Sequence, residues 1–128
     1  MKRIKLAGKV FSGTGEGRRY LTLPWVKRQI EEKLGFTPYP GTLNILLSEE
    51  SARRRKLLET ADAMKINPAE GYCSGILHKA RIEEAECAIV IPEVAGYPRD
   101  YLEVIAADYL RAKLQLEDGD TVTVTANL

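Results

Sequence analysis

Histidine is almost absent from this chain: His78 is the only one, and the two cysteines, Cys73 and Cys87, form no CxxC pair. A Cys/His zinc site therefore lacks its ligands, and neither a Ser/His/Asp nor a Cys/His nucleophile arrangement is visible. His78, in Ile76-Leu77-His78-Lys79, has no recognisable partner for a relay and reads as structural or surface. An excess of one charge is missing too. Nineteen basic residues against eighteen acidic ones leave a formal charge of +1, which argues against nucleic acid and anionic membranes as partners. No stretch approaches the roughly 20 apolar residues of a membrane span. At the N-terminus, Lys2, Arg3 and Lys5 interrupt the apolar residues too often for a signal peptide. With unpaired cysteines, these absences predict a reduced, cytoplasmic protein. Internal repeats, low-complexity runs and linkers are also lacking, so residues 1–128 read as one domain. Nothing in the pattern fixes an oligomeric state.

What is present is an ordinary globular composition, 45% hydrophobic and 29% charged, sufficient for a buried core. Ile4, Leu6, Val10 and Phe11 predict a first strand, ended by the glycine-rich run Ser12 to Arg18. Val26, Ile30 and Leu34 recur every four residues, predicting a helix from Leu23 to Leu34 with Pro24 in its first turn and Gly35 at its C-cap. A Pro-rich loop over 36–41 precedes a strand from Thr42 to Leu47, and a helix capped near Ser48 runs from Glu49 into Leu57 and Leu58. Within it, Arg53-Arg54-Arg55-Lys56 reads as a solvated face, the only support for a DNA-binding barrel. Further strands are expected over Gly71–Ile82, Cys87–Ile91, Tyr101–Ala107 and Thr121–Thr125, with a short helix over Asp108–Leu116 and a turn at Asp118-Gly119-Asp120. Many short strands with few helices favour a β-barrel or α+β fold over a doubly wound sheet.

Three stretches carry candidate chemistry. Gly13-Thr14-Gly15-Glu16-Gly17-Arg18 has glycines at alternate positions, so backbone amides can approach an anion and Arg18 can pair with phosphate; a flexible strand-to-helix loop accounts for it equally well. It matches neither a Walker A loop nor the dinucleotide fingerprint. Thr42 and Asn44, two apart on a strand, project to one face and offer neutral oxygens that suit Mg²⁺ or, alternatively, satisfy the backbone beside Pro40-Gly41. Glu103 interrupts the apolar run from Tyr101 to Ala107, either as a site carboxylate or on a strand face open to water.

Taken together, these residues resemble the archaeal CTP-dependent riboflavin kinases. The likeness rests on the blocks Gly8–Arg18, Leu34–Asn44, Ala88–Pro92 and Leu102–Ala106 running to Leu110-Arg111, in the expected order over nearly the whole chain. The resemblance implies a mainly β fold with short helices, a compact cradle-loop-type β-barrel. It also implies transfer of the γ-phosphoryl group of CTP to the ribityl 5′-hydroxyl of riboflavin, giving CDP and FMN, with Mg²⁺. By position it assigns Gly13, Thr14, Gly15, Glu16, Gly17 and Arg18, with Asp108, Tyr109, Leu110 and Arg111, to the nucleotide, Thr42 and Asn44 to the metal, and Ala95 and Glu103 to the flavin. Ala95 departs from the family, which often has a flavin-contacting hydroxyl there, so that contact is lost or supplied by a neighbour such as Tyr97. Some relatives carry an N-terminal DNA-binding domain, for which this chain has no room. A sensing domain that binds nucleotide or flavin without turnover is the competing class.

Overall fold

A computed structural model describes residues 2–60 and 63–128, residue 60 through its backbone only. In chain order the elements are β1 (Arg3–Phe11), α1 (Glu16–Leu21), α2 (Pro24–Leu34), β2 (Leu43–Leu47), α3 (Glu49–Thr60), β3 (Met64–Ile66), β4 (Gly75–Ile82), β5 (Ala85–Pro92), β6 (Tyr101–Ile105), α4 (Leu110–Lys113) and β7 (Thr121–Asn127). The sheet order is β3-β4-β5-β6-β2-β1-β7, and a further pairing of β4 with β7 closes six of these strands into a barrel. Every pairing is antiparallel. The strand β4 serves two neighbours along one edge: Gly75 to Leu77 face β3, and Ala80 and Arg81 face β7.

Alternating side chains separate two cores. Leu43, Ile45 and Leu47 of β2, Leu102 and Val104 of β6, and Leu6 and Val10 of β1 fill the barrel. Outside it, Leu21, Val26 and Ile30 from the first two helices pack with Ile66 on Leu77, Ala88, Val90 and Ile105, the outer faces of β4, β5 and β6. The helix α3 covers the barrel with Leu58, whose carbonyl oxygen lies 2.7 Å from Nε2 of the buried His78. His78 is therefore structural. The expected cap is present, with Ser51 N donating to Ser48 Oγ at 3.2 Å.

Helix α2 has the expected ends: Pro24 opens it, and Gly35 closes it in the left-handed region at φ 79°. Several elements differ from expectation: the strand expected over Gly71–Ile82 begins only at Gly75, the one over Tyr101–Ala107 ends at Ile105, and three further differences have a physical reason. The glycine run turns helical at Glu16, because Gly15 at φ 89° redirects the chain so that Leu21 reaches the outer core. The three-residue β3 is too short to show an alternating pattern and exists by pairing with β4. The last helix spans only Leu110–Lys113, since Gln115 takes a left-handed φ of 54°.

Candidate functional site

The outward faces of β2 and β6 meet where Asn44 pairs with Glu103, and Phe11, which leads into the glycine run, pairs with Asn44 from the other side. Sheet register thus brings Thr42, Asn44, Glu103 and the glycine loop to one place. Thr42 Oγ1 lies 3.2 Å from Asn44 Oδ1 and 3.1 Å from Glu103 Oε1. A hydroxyl carries one proton, so three oxygens share a single donor, and the cluster has more acceptor capacity than the protein fills. The other carboxylate oxygen, Glu103 Oε2, accepts a 2.6 Å hydrogen bond from the Tyr97 hydroxyl. Burial, then the bond to Glu103 and its charge, raise the Tyr97 pKa well above the ordinary phenol range, against a smaller opposing effect of Arg55. Tyr97 therefore keeps its proton and acts as the donor.

The glycines of the loop have a steric role in this geometry. A Cβ on Gly13 would stand 2.5 Å from Asn44 Nδ2; one on Gly17 would stand 2.6 Å from Thr42 Oγ1 and 3.0 Å from Glu103 Oε1. Only a bare backbone can lie so close over the cluster. Gly15 has open space around its Cβ position and serves instead through its left-handed φ. Thr14, Glu16 and Arg18 are exposed around this roof.

Two grooves flank the cluster. The first, of about 360 Å³, is lined by Tyr39 to Leu43, Val104, Ala106 and the run Asp108-Tyr109-Leu110-Arg111. At its mouth the rings of Tyr39 and Tyr109 stack with centroids 4.8 Å apart. The second, of about 660 Å³, runs along Pro92 to Tyr97 and includes Ala95 and Arg55. Thr42 lines one groove and Tyr97 the other, so the chain Thr42–Glu103–Tyr97 passes between them.

The two stretches expected to share a nucleotide, Gly13 to Arg18 and Asp108 to Arg111, are joined by contacts that the sequence pattern did not disclose. Ser12 Oγ donates to Asp118 Oδ2 at 2.7 Å, and Arg111 Nη2 donates to Asp118 Oδ1 at 2.8 Å and to the Phe11 carbonyl at 3.2 Å. These hydrogen bonds, from Ser12 first and Arg111 second, lower the pKa of the Asp118 carboxyl. Asp118 lies in the turn before β7, and the antiparallel pairing of β1 with β7 brings it back to Ser12. A turn signal was legible there, but its partner lies 106 positions away.

Among the described residues no group of three or more His, Cys, Asp and Glu side chains could hold a metal. The Thr42, Asn44 and Glu103 oxygens form a different donor set, all oxygen with one formal charge, and it fits a hard cation that keeps several waters. Both cysteines are free, Cys73 exposed and Cys87 buried with its thiol pushed up to about 12 by burial, which leaves Cys87 unreactive. Among the described residues no helix is long and apolar enough to cross a membrane.

Fold and site together define an antiparallel barrel bearing an external oxygen-lined cleft beneath a glycine loop. Residues 10–126 match the model of the CTP-dependent riboflavin kinase family, described as domain of unknown function DUF120, and the chain belongs to that family. It is 42% identical over 125 residues to a riboflavin kinase of Methanosarcina barkeri and 46% identical over 125 residues to one of Archaeoglobus fulgidus. Those alignments take in 94% of this chain and 56% and 54% of the relatives. A riboflavin kinase of Ignicoccus hospitalis is 41% identical over 127 residues, 96% of this chain and 71% of that protein. The chain spans a little over half the length of most of these relatives.

Proposed function

We propose that this chain is a cytoplasmic CTP-dependent riboflavin kinase, transferring the γ-phosphoryl group of CTP to the ribityl 5′-hydroxyl of riboflavin to yield CDP and FMN. The observation that carries the reading is the proton-poor oxygen cluster of Thr42, Asn44 and Glu103, set between two grooves and covered by backbone alone. Phosphoryl transfer asks a protein mainly for positioning and charge neutralisation, and a cleft of this kind supplies both. The names of the relatives support the acceptor, and the family description supports the donor.

In this reading the nucleotide lies along the first groove, between Gly13 to Arg18 and Asp108 to Arg111. The loop amides and the exposed Arg18 face its phosphates. The Ser12–Asp118–Arg111 contacts hold the two stretches at a fixed distance. Thr42 and Asn44 hold Mg²⁺, which when bound neutralises charge on the phosphate oxygens. Riboflavin lies along the second groove beside Ala95, with Glu103 as its anchor at the junction. Both Glu103 oxygens already accept hydrogen bonds from Thr42 and Tyr97, which favours an orienting role over that of a free general base. The Tyr97 hydroxyl donates to Glu103 and so shapes the carboxylate, and its lone pairs are left to accept in place of the contact that Ala95 lacks.

The test is incubation with riboflavin, Mg²⁺ and each of the four nucleoside triphosphates, followed by chromatography. FMN should form with CTP far faster than with ATP, because groups that pair with cytosine's edge are left unpaired by a purine. Equal rates with both donors would remove the donor assignment, and binding of riboflavin without any FMN would make the domain a sensor.

A further inference from the structure

Arg55 stands in a run of four basic residues, yet it alone among them is buried. Arg53, Arg54 and Lys56 are exposed, and Arg53 and Arg54 pair with Glu49 and Glu50 one turn back. Arg55 is 3% exposed. Its Nε donates to the Arg99 carbonyl at 2.8 Å and its Nη2 to the Pro98 carbonyl at 3.3 Å. The guanidinium carbon lies 5.7 Å from the centroid of the Tyr97 ring. Glu59 Oε1, at 3.9 Å, is too distant for a good hydrogen bond, and Nη1 is buried with no partner among the described residues.

Burying a cation costs free energy that its partners must offset, so the groups its fork does meet are the ones that set its geometry. The guanidinium's planar fork grips two successive carbonyls of the segment between β5 and β6, the segment that carries Ala95 and Tyr97. Backbone bonds hold this segment at its two ends and across one internal turn: Glu93 N to the Ser74 carbonyl at 2.9 Å, Leu47 N to the Asp100 carbonyl at 2.7 Å, Tyr97 N to the Val94 carbonyl at 3.1 Å and Tyr101 N to the Pro98 carbonyl at 3.3 Å. Between those ends, the side chain reaching from α3 adds the bonds to the Pro98 and Arg99 carbonyls, next to Tyr97 on the second groove.

We infer that Arg55 is a positioning residue for the acceptor side of the site: by holding the Pro98 and Arg99 carbonyls and the Tyr97 ring, it sets the Tyr97 hydroxyl on Glu103 and so fixes the carboxylate that meets riboflavin. The inference rests on the proposed function for its ligand, though not for its geometry. Lysine in place of Arg55 keeps the charge but not the fork.

The experiment is a double-mutant cycle of Arg55→Lys and Tyr97→Phe, reading riboflavin and CTP affinities separately. Each single variant should weaken riboflavin about tenfold and change CTP affinity less than twofold, while the double variant should be little worse than either alone. Additive losses, equal losses for both ligands, or wild-type riboflavin affinity in Tyr97→Phe would each overturn the inference. The last outcome applies even if the Arg55 variants fail to fold. If the wild-type protein binds no riboflavin, the proposed function fails first. The Arg55 inference is then tested by ¹⁹F NMR of unliganded protein carrying 3-fluorotyrosine. Arg55→Lys should broaden or shift the resonance of Tyr97 and leave that of Tyr109 in place; unchanged resonances would overturn it.

Discussion

The two faces of β2 are made by adjacent residues with opposite duties. Ile45 points into the barrel, is completely buried, and packs with Leu102 and Val104 of β6. Asn44, one residue earlier, points outward to Thr42 and Glu103 and is only half-buried. The inner face is satisfied by its neighbours, whereas the outer one has oxygens without enough protons to bind them. One strand therefore separates stability from ligand binding by the direction in which each side chain points. That separation is what substitutions should break or sharpen.

The largest effect is expected inside. Ile45→Ala should destabilise the fold by about 2–5 kcal/mol, from lost burial and the cavity left behind, read as a lower urea midpoint with an unchanged slope. Riboflavin and CTP affinities of the fraction that remains folded should stay near wild type; a specific loss of either would mean the barrel interior communicates with the cleft.

On the outer face Glu103→Gln comes next. The carboxylate accepts from both Thr42 and Tyr97, but the amide nitrogen of glutamine can accept from neither, so one of the two hydroxyls must turn and accept instead, and the charge that riboflavin meets is gone. Riboflavin affinity should fall by about 1–3 kcal/mol, roughly fivefold to more than a hundredfold, with little change in CTP affinity or Tm. Fluorescence titration of riboflavin reads this directly, and unchanged affinity in a folded variant would take Glu103 out of the site.

Asn44→Ala should have the smallest effect. With Thr42 and bound waters still available to the cation, turnover at limiting Mg²⁺ should drop about tenfold and riboflavin affinity should barely move. A variant as active as wild type under those conditions would show that Asn44 holds no metal.

Much of this arrangement was legible in the sequence. The three Val26-Ile30-Leu34 positions, with Pro24 and Gly35, place α2 to within one residue: the expected start at Leu23 is its N-cap. The two-residue spacing of Thr42 and Asn44 places them on one face, as found. The charge run was read too coarsely. Arg55 lies three residues before Leu58 and four after Ser51, and all three face inward, so helical periodicity already separates it from Arg53, Arg54 and Lys56. Other features were not readable at all. The β3 pairing, the Ser12–Asp118 contact and the steric reason for Gly13 and Gly17 depend on which distant segments the barrel register brings together, and no local pattern encodes that.

The pairing of β7 with both β1 and β4 also bears on how the chain comes to be folded during synthesis. These seven residues, Thr121–Asn127, are the last to be made of the six strands that close the barrel. Until the ribosome has released Asn127, β1 lacks a partner along one edge and the second half of β4 lacks one along another. A nascent chain stalled before this point offers two unpaired strand edges to its neighbours at once, the condition under which edge-to-edge aggregation begins. The barrel's assembly therefore waits on β7, and the glycine-roofed cleft, tied through Ser12 to the turn before that strand, is completed at the same moment.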